Sequence, residues 1–227
     1  GCGKPVVLCM MSGSAIDMQF AAEHVNAILQ VWYPGARGGK AAAEILFGAC
    51  SPSGKLPVTF YKDLEGFPAF EDYSMKGRTY RYMENEALYP FGYGLSYTDF
   101  TYSNAAVSSD VVAEEGVTVR VEVANTGDRE GTETVQVYVK ACREGTPNPQ
   151  LKGIRKVSLK PGETKEVSIA LSSAAFALYD EQAVNRVEEG AYEIYIGGSQ
   201  PDRRSVKLTG KEPAKLRIMA KQEMIIK

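Results

Sequence analysis

"VTVRVEVANTGDREGTETVQVYVKA", residues 117–141, alternates apolar and polar positions, breaks at Asn125-Thr126-Gly127, and takes the alternation up again from Thr132. A period of two belongs to a strand with one buried and one polar face, and Asn-Thr-Gly is turn chemistry. The same pattern returns in "IRKVSLKPGETKEVSIAL" (154–171), which turns at Lys160-Pro161-Gly162, and in "AYEIYIGG" (191–198), which follows Glu188-Glu189-Gly190. Several short strands at this spacing over about 100 residues predict an antiparallel β-sandwich.

The segment has no Cys…Trp…Cys arrangement, so the sandwich reads as fibronectin type III-like rather than as an immunoglobulin domain. It is expected at residues 104–205, leaving 206–227 as a tail with unplaced strand character near 214–219. Before residue 61 the rhythm differs. "PVVLCMM" (5–11) is a continuous apolar run of the kind found in a strand covered on both faces, "SGSA" turns the chain, and "AIDMQFAAEHV" (15–25) suits a helix. "AILQVWYP" (27–34) reads as a second buried strand and "KAAAEILFG" (40–48) as a helix stopped by Gly48. Strand, helix, strand, helix predicts a parallel α/β layer. Two such units leave a sheet edge open, so further strands are expected from a segment before residue 1. The fold class is therefore α/β plus all-β: a partial α/β (αβα) sandwich in 1–60, then an antiparallel fibronectin type III-like β-sandwich.

Between them lies a stretch with neither period. "ALYPFGYGLSYTDFTYS" (87–103) sets four tyrosines and two phenylalanines around Pro90, Gly92 and Gly94, too punctuated for a helix. Residues 61–103 read as an ordered connector whose rings pack along a domain surface, with "LPVTFY" (56–61) and "RTYRYM" (78–83) as its strand-like pieces.

The formal net charge of -2 comes from interspersed acids and bases, with no block of one sign. That excludes the electrostatic footprint of a nucleic-acid or anionic-membrane binder, and no run approaches the roughly 20 apolar residues of a membrane span. Small neutral ligands fit better. Cys2, Cys9, Cys50 and Cys142 are widely spaced, without metal or redox spacing, and read as reduced packing residues. Reduced cysteines suit a cytoplasmic compartment.

Four segments carry a resemblance. "WYPGARGGKAAAEILFGACSPSGKLPVTF" (32–60), "YPFGYGLSYTDFTYS" (89–103), "VANTGDREGTETVQVYV" (123–139) and "VSLKPGETKEVSIAL" (157–171) resemble, in that order, the C-terminal half of the family 3 glycoside hydrolases. The pattern departs at Ile154, where an aromatic is usual, and at "GSQPDRRS" (198–205), a worn closing turn. The resemblance implies a lobe of an exo-acting β-glycosidase cutting terminal β-linked glucose or xylose from oligosaccharides or glycosides. It implies no cofactor or metal, and it implies partners in an N-terminal β/α barrel and the first half of the α/β sandwich. The two carboxyl groups of a retaining glycosidase lie about 5 Å apart. The family places them in the barrel and in the upstream part of the α/β sandwich, so no catalytic residue is expected in this chain. A non-catalytic carbohydrate-binding or protein-interaction module is the alternative.

Residues that could touch a sugar stand where strands end, since ligands gather at the C-terminal edge of an α/β sheet. Ser12 and Ser14 follow the first strand, and Trp32 and Tyr33 the second. With Arg78 they are the candidate rim of a substrate cleft. Glu71 and Asp72 are adjacent on an extended segment and read as a solvated loop rather than an acid/base pair. His24 has no histidine partner and reads as a helix-surface residue. "GLSY" (94–97) lacks the second glycine of a hydrolase elbow, and "YPGARGGK" (33–40) lacks the spacing of a phosphate loop.

Overall fold

The computed structural model describes residues 3–65 and 67–226. Strand β1 (Val7–Met10) pairs in parallel with β2 (Ala27–Gln30), Val7 opposite Ala27 and Met10 opposite Gln30. A parallel pair needs a crossover, and the short helix α1 (Gln19–His24) provides it. Helix α2 (Gly38–Leu46) follows a turn in which a Cβ on Gly38 would sit 2.4 Å from Pro34 Cγ. The apolar run that contains β1 is not covered on both faces as the sequence suggests: Val6 and Val7 are 41% and 44% exposed. A two-stranded layer supplies no neighbour to cover them. The small core of this α/β lobe gathers Met18, Phe60 and Leu88, with Ile28, Trp32 and Leu56 packed against it.

The connector departs from its reading in two places. "LPVTFY" contributes only one bridge, Phe60 to Tyr89, and "RTYRYM" forms a single helical turn, α3 (Thr79–Tyr82), instead of a strand. The turn is set by tertiary contact: Tyr80 is buried and stacks on Phe91 with ring centroids 4.1 Å apart. The rings also divide. Those from Tyr80 onward largely pack, whereas Phe70 and Tyr73 are 91% and 92% exposed on a loop whose contacts are mostly internal.

From residue 100 the regular elements are nearly all strands: β3 (Phe100–Val107), β4 (Val117–Asn125), β5 (Gly131–Ala141), β6 (Gln150–Leu159) and β7 (Thr164–Leu171) come first. The short β8 (Leu178–Tyr179) and β9 (Asn185–Val187) precede β10 (Gly190–Gly197), helix α4 (Arg203–Thr209), β11 (Ala214–Ala220) and β12 (Met224–Ile225). One sheet runs β3-β4-β7, a second β11-β10-β5-β6, and a third, small one β12-β9-β8. Thus β4 and β5 lie in different sheets, and the Asn125–Gly127 turn carries the chain from one to the other. Val119, Val121 and Val123 of β4 share a core with Val135, Val137 and Val139 of β5. The strand near 214–219 has a place: β11 pairs antiparallel with β10, Tyr192 opposite Ile218. Helix α4 starts from an Asp202 side chain that accepts from Ser205 N and stops at Gly210, φ 68°.

The three described cysteines do not pack in a core. Cys9, Cys50 and Cys142 are free and exposed, on or beside elements whose outer sides face solvent, and Cys2 lies outside the described residues. Among the described residues no helix is long and apolar enough to cross a membrane.

Candidate functional site

The C-terminal ends of β1 and β2 bring four of the five candidate rim residues together. Ser12 Oγ donates to Ser14 O at 2.9 Å, and Gln30 Nε2, at the end of β2, donates to Ser12 Oγ at 3.1 Å. Tyr33 lies over Gly13, where an added Cβ would meet its ring at 2.6 Å. Trp32 has φ 55°, a left-handed conformation that disfavours a bulky residue by about 1–2 kcal/mol. That backbone lets adjacent aromatics part. Trp32 packs edge-on against Phe60 at 6.3 Å, while Tyr33 is 79% exposed. Arg78 works elsewhere: its Nη2 donates to Ala69 O and Asp72 O, both at 2.9 Å, and its guanidinium lies 5.2 Å from the Phe67 ring centre.

The carboxylates near Arg78 behave as a loop. Asp72 accepts from Ser74 N at 2.8 Å, and this bond, with a lesser contribution from Arg78, holds its carboxyl below the usual range. A general acid needs the opposite shift. His24 is exposed and stacks on Phe20 at 4.1 Å. Among the described residues no three His, Cys, Asp or Glu side chains converge to hold a metal ion.

A second set of residues, invisible as a group in the sequence, joins the α/β lobe and its connector to the β lobe. Gln136, 1% exposed on β5, donates to Gly92 O at 2.9 Å and Gly198 O at 2.8 Å and accepts from Tyr138 OH at 2.6 Å. Burial pushes the Tyr138 hydroxyl far up, so it stays a donor. Thr134 Oγ1 donates to Ser53 O, Arg204 Nε to Leu88 O, and Asn148 Nδ2 to Tyr80 O and Met83 O. Phe91 lies flat on Tyr80 and edge-on to Tyr138 at 6.4 Å. Gly92, φ 76°, lets the chain pass where a Cβ would meet Gln136 Oε1 at 2.3 Å. The outer face of β5, polar in sequence, is thus buried beneath the connector. Lys55 reaches the same seam, 3.5 Å from Glu133 Oε1, and burial lowers its affinity for a proton.

Beyond these elements the α/β segment and its connector leave many large apolar side chains exposed. Among the described residues all but four of the large exposed apolar side chains lie before residue 98; the four are Ile154, Tyr179, Met219 and Ile225. Patches of that kind mark interaction faces.

Residues 1–97 match the glycosyl hydrolase family 3 C-terminal domain, and residues 133–200 match a fibronectin type III-like domain. The chain belongs to glycoside hydrolase family 3 and carries the C-terminal region of that family. It is 44% identical over 91% of its length to a xylan 1,4-beta-xylosidase of Xylanibacter ruminicola, covering 24% of that protein. It is 40% identical over 86% of its length to a periplasmic beta-glucosidase of Salmonella typhimurium, covering 28%. The structure of beta-glucosidase 3B from Thermotoga neapolitana in complex with alpha-D-glucose superposes on 99% of the chain with TM-score 0.83 and 33% identity, over 32% of its own length. The chain thus spans about a quarter of the length of these two curated relatives.

Proposed function

We propose that this chain is the C-terminal lobe of a retaining exo-β-glycosidase that releases terminal β-linked glucose or xylose. Residues 1–60 complete an αβα sandwich with strands supplied by a preceding segment, and the two facing sheets beyond residue 100 form the fibronectin type III-like sandwich. The observation that carries this reading is the apolar surface before residue 98, which a two-stranded layer cannot cover by itself. A preceding β/α barrel and half-sandwich would bury it. Relatives named beta-xylosidase and beta-glucosidase, of which this chain spans about a quarter, point to the same partner.

In this arrangement the two carboxyl groups, about 5 Å apart across the scissile bond, come from outside the chain. The Ser12–Ser14 turn, Trp32 and Tyr33 stand at the strand ends where the cleft rim would lie, with hydroxyls for hydrogen bonds and a ring for the apolar face of a sugar. Arg78 orders the neighbouring loop. The test is turnover of nitrophenyl β-xyloside and β-glucoside. The chain alone should release no nitrophenol, and the enzyme that includes the preceding segment should release it. Hydrolysis by the chain alone would defeat the reading. Calorimetric binding of xylo- or cello-oligosaccharides by the chain alone, with no hydrolysis in the longer enzyme, would favour the binding-module alternative.

A further inference from the structure

Lys55 and Glu133 form an ion pair that is 13% and 6% exposed at the side chains, and it spans the seam between the lobes. Tyr102 of β3 donates to the same Glu133 Oε1 at 2.9 Å, and Lys55 Nζ also donates to Gly94 O at 2.9 Å. Buried charges of this kind hold their geometry tightly, because each loses its compensation if the other moves. What Lys55 belongs to matters more. Leu56, its neighbour, is tied to the connector by Leu56 N to Tyr93 O at 2.9 Å and Gly92 N to Leu56 O at 2.7 Å. Phe60 is tied by Phe60 N to Tyr89 O at 3.0 Å and Leu88 N to Phe60 O at 2.9 Å. Phe60 belongs to the small core against which both Leu56 and Trp32 pack. A continuous path of contacts therefore runs from β5 through the ion pair and residues 55–60 to the ring of Trp32.

We propose that Lys55 and Glu133 are positioning residues: their ion pair fixes residues 55–60 against β5 and thereby sets Trp32 at the rim. The β lobe acts on the rim through this pair. The place of Trp32 at a sugar cleft rests on the function proposed above; the coupling itself does not.

Trp32 is the sole tryptophan of the chain, so its fluorescence reads the coupling directly. The variants are Lys55→Met, Glu133→Gln and the two combined, with Tyr102→Phe as a milder perturbation that keeps both charges. Each single charge variant should shift Trp32 emission to the red and increase its quenching by acrylamide, well below the unfolding temperature. The double variant should return toward wild type, because no lone charge remains buried. Tyr102→Phe should move emission in the same direction by less. Leu159→Ala, which weakens the β-lobe core without touching the pair, should leave emission unchanged. Unchanged emission in the single variants and in Tyr102→Phe would overturn the proposal. So would a shift as large in Leu159→Ala as in Glu133→Gln. In the longer enzyme, Lys55→Met should raise KM for nitrophenyl β-xyloside more than it lowers kcat. If that enzyme hydrolyses no β-glycoside, the proposed function fails while the fluorescence result still decides the coupling.

Discussion

Asn125 shows how much of this fold hangs on single polar residues. It is 1% exposed, accepts from Thr98 Oγ1 at 2.6 Å and Gly127 N at 3.1 Å, and donates to Arg129 O at 2.8 Å and Leu159 O at 3.0 Å. Its backbone meets the other sheet-crossing turn as well, Asn125 N to Glu163 O at 3.0 Å and Gly162 N to Asn125 O at 2.9 Å. Replacing it with Ala strands several buried partners, so Asn125→Ala should lower stability by about 2–3 kcal/mol in urea unfolding. A loss below about half a kcal/mol would mean that water replaces the amide without penalty. Gly92 gives the backbone counterpart: Gly92→Ala should destabilise by more than about 1 kcal/mol, because both its φ and its contacts with Gln136 and Tyr138 exclude a side chain. A thermal melt at the wild-type midpoint would contradict the close approach. The sequence reveals Asn125 as a turn residue because Asn-Thr-Gly is local chemistry. It does not reveal Gln136, Thr134 or Glu133 as buried, because the contacts that cover them come from far along the chain: 44 residues from Gly92 to Gln136, 81 from Ser53 to Thr134 and 78 from Lys55 to Glu133.

Elements repeat that division between what is local and what is not. The period of two places β4, β5, β6, β7 and β10 because each keeps one face in a common core. The turn α3 escapes it, since "RTYRYM" has strand-like composition and its turn is held by distant contacts, the stacking of Tyr80 on Phe91 and the Asn148 bonds to Tyr80 O and Met83 O. The cleft rim is legible to the extent that strand ends are, which gathers Ser12, Ser14, Trp32 and Tyr33 but not Arg78. Phe91 bridges the two lobes, and truncating an aromatic of this size costs about 3 kcal/mol. Phe91→Ala should therefore raise hydrogen exchange in residues 3–60 more than in β4, β5 and β10; equal loss in both, or none, would mean that the seam is held without this ring. The β lobe also carries an acid sensitivity with a definite sign. Glu163 is held below its usual 4.5 chiefly by the backbone N–H of Lys160, and Glu193 by hydrogen bonds from Lys215 and Tyr195. Asp180 is held below 3.8 chiefly by the backbone N–H of Val184. A depressed folded value gives stability that is present above the unfolded value and lost as pH falls through the folded one. Asp202 opposes them, its carboxyl raised by burial. Three against one, the unfolding temperature should fall as pH drops below about 4.5. A midpoint that rises on acidification would show Asp202 dominating.

At the scale of the whole molecule, two lobes of unequal completeness share one seam. The β lobe closes its core with strands from this chain alone, and its sheets leave few large apolar side chains in solvent. Among the described residues the α/β lobe has two strands, a three-residue buried core and exposed apolar side chains that include Phe20, Tyr33 and Phe47, at 74%, 79% and 89%. Few buried contacts mean low local protection, and docking against a partner restores it. In the reading proposed above, the partner is the rest of a longer enzyme; the chain, a member of glycoside hydrolase family 3, spans about a quarter of its relatives named beta-xylosidase and beta-glucosidase. The most direct measurement is amide hydrogen exchange, residue by residue, on this chain alone and within the longer enzyme. Strands β1 and β2 and helix α1 should exchange rapidly in the chain alone and become strongly protected in the longer enzyme, while β4, β5 and β10 should exchange at the same slow rate in both. Equal protection of β1 and β2 in the two settings would contradict it, because the apolar face before residue 98 would then have nothing to dock.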